Sequence, residues 1–211
     1  DPMYINQYAH ESINALQAWE YCISNHYTDT AVVAIIDTGV DYLHEDLKDA
    51  IWFNPGEIGA DEKGFDKRMN GVDDDDNGFI DDWRGWDFYT DRFSSGDNDP
   101  FPGNLHGTHV AGIAGAVVNN SIGIAGINPF VKILPVKIGP DEPLNTVENG
   151  YEAILYAAAL GADVVNCSWG SDGFSAAEQE VVNSAYNIGS LIVGAAGNSN
   201  SDRLFFPASY A

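Results

Sequence analysis

Positive charge is what this chain has least of: nine Lys and Arg stand against 32 Asp and Glu in 211 residues, a net charge of −23. A field of that sign repels phosphate backbones and anionic lipid, which sets aside nucleic-acid and membrane-surface binding. Cysteine is scarce as well. Cys22 and Cys167 cannot build a disulfide framework or fix the redox compartment, and Cys167, inside "ADVVNCSWG", reads as a small buried hydrophobe. No apolar run approaches the roughly 18 residues of a membrane span. There is no signal-peptide pattern, no internal repeat and no low-complexity segment, and Asp1 reads as a processed or trimmed end.

What is present suits a packed globule. Apolar residues make up 45% of the chain, with ten Phe, ten Tyr and five Trp. A single domain of this size buries about 70% of its unfolded surface. Four short apolar runs predict strands covered on both faces: Ala31–Asp37, Val131–Ile138, Ala162–Ser168 and Leu191–Gly197. Helical patterns lie between them, at Gly107–Val118, Asn145–Leu160 and Ser175–Ile188. The last opens with Ser175 three residues before Glu178 and stops at Gly189. Strand and helix alternate, which predicts an α/β fold: a doubly wound parallel sheet with helices on both faces and right-handed crossovers. In such sheets the working residues gather at the carboxyl ends of strands. Those ends carry "DTG" at Asp37, "SWG" at Ser168 and "AAGN" closing at Asn198.

"DTG" also marks aspartic proteases, but these need two such carboxylates on β-rich lobes, and no second copy exists here. His106 and His109, in "NLHGTHVAGIAG", have the three-residue spacing of some zinc pairs, yet no H-E-x-x-H pattern accompanies them. An acid ending one strand and a histidine opening a later helix fit another chemistry. There the carboxylate fixes the imidazole tautomer and the imidazole deprotonates a nucleophile.

Acid is concentrated, not spread. Fourteen of the 32 acidic residues fall between Glu57 and Asp99, in a Gly- and Asp-rich stretch from Trp52 to Leu105 too long for an ordinary connection. With Asp73 as position 1 of an EF-hand-type loop, oxygens fall on Asp73, Asp75, Asn77, the Phe79 carbonyl and Asp81. Gly78 stands at the sharp turn, and Arg84 replaces the twelfth-position glutamate. Asp82 is the candidate for the missing carboxylate. Carboxylates packed this densely repel one another unless a divalent ion sits among them.

The blocks "AIIDTGVDYLHEDL", "HGTHVAGIAG", "NNSIGIAGINP", "VVNCSWG" and "GAAGNS" resemble, in order and spacing, the subtilisin-like serine proteases. The resemblance runs from Asp1-Pro2 to Phe206-Pro207. It implies that Asp37 is the triad aspartate, His106 the general base and His109 a packing residue of the same helix. It implies that Asn198 donates to the oxyanion and that Ser168, Trp169 and Gly170 form the edge that pairs with substrate backbone. The segment for more distant pockets, Ile138–Leu144, reads "IGPDEPL" and departs from the family, leaving subsite preference open.

Some members carry an insertion like the acidic loop and bind calcium there. A second calcium site is implied at Asp46, the Asn120 side chain and the carbonyls of Val117, Ile122 and Ile124, with Asp1 reaching in from the N-terminal arm. A cis bond is expected at Phe206-Pro207. The family's Gly-Thr-Ser-Met-Ala nucleophile motif has no counterpart before Ala211. The expectation is therefore the N-terminal two-thirds of a peptidase domain, residues 1–211, with the acidic insertion at about 54–100. The serine belongs to a following segment, and this piece alone is inactive. The expected setting is extracellular, with a peptide or protein substrate and an inhibitory propeptide as partners. A catalytically silent, calcium-dependent extracellular binding module is the competing reading.

Overall fold

The computed structural model describes residues 1–27, 29–90, 96–142 and 146–210. The parallel sheet contains β1 (Ala31–Asp37), β2 (Trp86–Asp87), β3 (Val131–Lys137), β4 (Val164–Cys167) and β5 (Leu191–Gly194), in the order β2-β3-β1-β4-β5. The first apolar run becomes the middle of the sheet, paired with β3 on one side and β4 on the other. The chain therefore winds outward from β1 in both directions. The crevice left by that reversal opens at the carboxyl end of β1, where Asp37 stands.

Alternation along β1 splits the core in two. Ala34 and Ile36 join a cluster with Ile154, Ala157, Val165 and Ala185, under α4 (Gly150–Ala159) and α5 (Ala176–Ile188). Ile35 joins the other cluster, under α3 (His106–Gly115), with Ala111, Leu47 and Ile133. The small residues of α3 let it lie close to the sheet: a Cβ on Gly115 would stand 2.7 Å from Val131 Cγ1. The N-terminal arm, α1 (Tyr8–Ser12) and α2 (Ala15–Ser24), clips to the loop after α3. The Gln7 amide exchanges two hydrogen bonds with Ala125, and Trp19 Nε1 donates to Ile127 O at 2.8 Å.

Several boundaries differ from the sequence reading. β3 ends one residue early, at Lys137, which is buried and donates from Nζ to Asp87 Oδ2 at 2.7 Å and to Asp141. β4 and β5 are each trimmed, and α3 stops at Gly115. α4 begins at Gly150 because Glu148 N still bonds Ile138 O and Asn149 is left-handed (φ 58°), its side chain donating to Phe88 O. Asn145, where the sequence reading starts this helix, lies outside the described residues. α5 matches expectation at both ends: Ser175 Oγ accepts from Glu178 N at 3.4 Å, and Gly189 has φ 125°. Glu178 turns its carboxylate to the Tyr210 hydroxyl instead of back to Ser175.

β5 is the largest departure. Among the described residues it pairs only with β4 and is not covered on both faces; Leu191 and Val193 are 54% and 45% exposed. β2 lies inside the acidic stretch, where two residues leave no periodicity to read. Cys22 and Cys167 are free thiols, and burial pushes the Cys167 thiol well above its ordinary pKa.

Candidate active site and metal centre

Asp37 is the last residue of β1 and almost wholly buried, at 2% exposure. Its Oδ1 accepts from Thr38 N at 2.8 Å and faces His106 Nδ1 at 2.7 Å. Three local features hold the imidazole there. The Asn104 side-chain oxygen accepts from His106 N at 2.9 Å and from Thr38 Oγ1 at 3.0 Å. Thr38 Oγ1 in turn accepts from Gly107 N at 3.1 Å. Gly107 has no alternative, since a Cβ there would lie 2.2 Å from Gly39 O and 3.1 Å from Asp37 Cβ. The start of α3 is thus pressed against the end of β1.

The pair is asymmetric: the Asp37 side chain is 3% exposed and the His106 ring 53%. A carboxylate shielded from water accepts the Nδ1 proton and leaves the Nε2 lone pair to the open side. That side is a groove of about 900 Å³ lined in part by Asp41, His44, Phe101, Leu105 and His109. His109 corrects the sequence reading. It is in the helix but exposed, because a residue three positions on from His106 shares its face and borders the same groove. Among the described residues no serine hydroxyl bonds His106; Ser199 pairs with Ser201, and Ser168 accepts from Asn166 Nδ2.

The substrate-edge candidates follow β4. Trp169 Nε1 donates to Ile36 O at 2.9 Å, and its ring meets Tyr151 edge-on at 5.6 Å. Ser171 and Phe206 exchange backbone hydrogen bonds at 2.9 Å, just before the cis Phe206–Pro207 bond. Asn198 follows β5, which is aligned with β4 through Cys167↔Gly194. It lies on the same edge of the sheet as Asp37 and is exposed. Among the described residues no hydrogen bond joins it to either member of the pair.

The acidic loop folds partly as its spacing predicts. Gly78 has φ 95°, and Asp73 accepts from Asn77 N at 3.1 Å and Gly78 N at 2.7 Å. Asp82 is fully buried, holding Asn54 Nδ2, Asn77 Nδ2 and the Tyr156 hydroxyl, and burial raises its pKa. Asp75 accepts from Asn54 Nδ2 at 2.9 Å. Asp81 points elsewhere: it is left-handed (φ 55°), and its carboxylate takes the Gly71 amide. Phe79 sends its ring into an aromatic group with Trp86, Phe88 and Tyr156.

One residue escaped the sequence reading. Glu57, on the turn Pro55–Glu57, is fully buried and supplies an oxygen within 4.8 Å of oxygens from Asp73 and Asp75. Its Oε1 accepts from Asp74 N at 2.6 Å, while Oε2 is buried without a partner. Burial, with Asp82, Asp75 and Asp74 nearby, pushes its pKa up to about 7. A hard, oxygen-seeking cation fits this donor set: three converging carboxylates, one with an orphaned oxygen. The signal was the "NPGE" turn before the loop, whose separation from Asp73 hides it from any motif count.

Asp46, Asp1 and Asn120 also come together, in another manner. Asp46 is 2% exposed and accepts from Asn120 Nδ2 at 2.8 Å and Ile124 N at 2.9 Å. Asp1 accepts from the amides of Asn119, Asn120 and Ser121. Val117 and Ile122 contribute their N–H groups, to Asp46 O and Asn120 Oδ1.

Comparison with known proteins gives a consistent result. The family model described as the subtilase family matches residues 28–211. A thermophilic serine proteinase of Bacillus sp. (strain AK1) is 38% identical over 92% of this chain, which spans 42% of that protein. Thermitase of Thermoactinomyces vulgaris is 36% identical over 100% of the chain, which spans 62% of it. A halolysin-like extracellular serine protease of Natrialba magadii is 32% identical over the whole chain, which spans 33% of its length.

Proposed function

The chain belongs to the subtilase family, and from that premise we propose that the protein carrying it is a calcium-stabilised serine endopeptidase working in extracellular surroundings. The observation that carries the reading is the 2.7 Å contact between buried Asp37 and half-exposed His106. Asp37 holds Nδ1–H, so His106 Nε2 is the base for a serine hydroxyl. That serine is supplied by a further segment of the same peptidase, since the curated relatives extend well beyond the length matched here. Asn198 donates its amide to the tetrahedral oxyanion. In this family such a donor is worth about 10²–10³ in kcat. Ser168, Trp169 and Gly170 pair with an extended peptide backbone. An inhibitory propeptide is a further partner, and it would occupy the same edge.

Calcium is assigned to Glu57, Asp73 and Asp75, with Asp82 and Asn77 behind them. When bound, it neutralises the clustered carboxylates and ties the insertion to the sheet. The second implied site, at Asp46, Asn120, Asp1 and the carbonyls of Val117, Ile122 and Ile124, is assigned no ion, because its carboxylates already accept from the Asn120 side-chain amide and from the peptide N–H groups of residues 119–121 and 124. Labelling the full-length protein with a fluorophosphonate tests the catalytic reading: it should label a serine, and His106→Ala should abolish labelling. No labelling in a folded, calcium-binding protein would favour a silent binding module.

A further inference from the structure

Among the described residues Lys137 is the only Lys or Arg that is buried, at 2% exposure, and the proposed catalysis does not use it. It closes β3 opposite Asp37 of β1 and opposite Asp87 of β2, so three charged residues stand in one row across the carboxyl end of the sheet. The ammonium turns to Asp87 Oδ2 at 2.7 Å and to Asp141, and among the described residues no bond joins it to Asp37. An ammonium taken out of water needs a carboxylate, and buried Asp87 supplies one. Asp141 is not needed for neutrality, since its side chain is 88% exposed. The second contact therefore does more for the segment that carries Asp141 than for the ammonium.

That segment is pressed against the residues that hold the imidazole. Ile138 N donates to Asp37 O at 2.8 Å. A Cβ on Gly139 would stand 3.1 Å from Thr38 Cγ2, and one on Gly103 would stand 2.0 Å from Pro140 O and 2.6 Å from Asp141 Cα. Gly103 N in turn donates to Thr38 O at 3.3 Å. Thr38 and Asn104 are the residues that receive the amides of Gly107 and His106. Residues 139–141 thus form a backstop behind the start of α3. Among the described residues the one side-chain bond that fastens this backstop is Asp141 to Lys137. A catalytic group that shifts by about 1 Å can lose a large factor in rate, so the fastening bears on turnover.

Building on the protease reading, we propose that Lys137 is a positioning residue: its buried ammonium, held by Asp87, anchors Asp141 and so braces residues 139–141 behind Thr38 and Asn104, fixing the alignment of Asp37 and His106. Asp141→Ala in the full-length protein is the clean test, because it removes an exposed carboxylate and leaves Lys137 paired with Asp87. It should lower kcat on a fluorogenic peptide about fivefold with a smaller change in KM. The His106 Nδ1 proton, read by NMR in water, should exchange faster with solvent. Asp141→Glu, which keeps the charge and has room in solvent, should return both readouts to near the wild-type values. In a folded Lys137→Met protein, Asp141→Ala should have no further effect, since the two residues act through one contact. The proposal is overturned if folded Asp141→Ala keeps both kcat and the exchange rate. It is equally overturned if kcat falls while exchange is unchanged, which would confine the segment to contact with substrate. A protein without turnover whose Nδ1 proton still exchanges faster in Asp141→Ala would sink the protease reading and keep this one.

Discussion

Two acid-rich places in this molecule use the same side chains in opposite ways. In the insertion, Glu57, Asp73 and Asp75 converge on one another, and a buried Glu57 oxygen is left without a donor. Beside the N-terminal arm, Asp46 and Asp1 face peptide N–H groups from residues 119–121 and 124. One cluster concentrates negative charge; the other spends it on backbone dipoles. Counting acids along a sequence cannot separate the two cases. What separates them is where the compensating positive end comes from.

Chelation should produce the largest effect. Excess chelator should lower the melting temperature of the calcium-loaded full-length protein by about 10 °C, because cation binding at high saturation is part of folding stability. Glu57→Gln should remove most of that sensitivity. An unchanged melt in chelator would show that the insertion needs no ion. Next, Asp46→Ala should cost about 2–4 kcal/mol in urea denaturation, by stranding the Asn120 and Ile124 donors. The loss should persist in chelator; if chelator alone reproduces it, the second cluster depends on a cation as well.

Proton linkage is a finer probe. Glu57 titrates near 7 in the folded, metal-free chain against an ordinary value of 4.5, so between those values the folded state holds the extra proton. Metal-free stability should then fall as pH rises from about 4.5 to 7, and Glu57→Gln should flatten that slope in pH-dependent denaturation. Calcium affinity should change in the opposite sense, weakening as acid is added. The smallest effect is expected at the arm: Asp1→Ala, losing three amide contacts, should cost about 1 kcal/mol.

The sequence was most legible where a residue's partners are its chain neighbours or its own strand. β1 was read to the residue, as were Ser175 and Gly189 around α5. Asp37 and His106 were found because strand end and helix start are local signals, and the fold then joined them. Glu57 was missed because its meeting with Asp73 and Asp75 depends on a turn held by Asn54, whose side chain also reaches Asp75 and Asp82. Asp81 was misread because a left-handed backbone turned it to Gly71, which spacing alone does not reveal. The exposure of β5 is a property of its neighbours, and its apolar composition says nothing about them.

The indole of Trp169 is hydrogen-bonded to the carbonyl of Ile36, and that carbonyl shares a peptide plane with the nitrogen of Asp37. The segment proposed to bind a peptide and the acid proposed to orient the base are therefore fixed to one rigid peptide plane. On the proposed protease reading, a peptide that displaced that segment would displace the acid with it, so poor fit would lower turnover as well as affinity. Such coupling would need no moving lid.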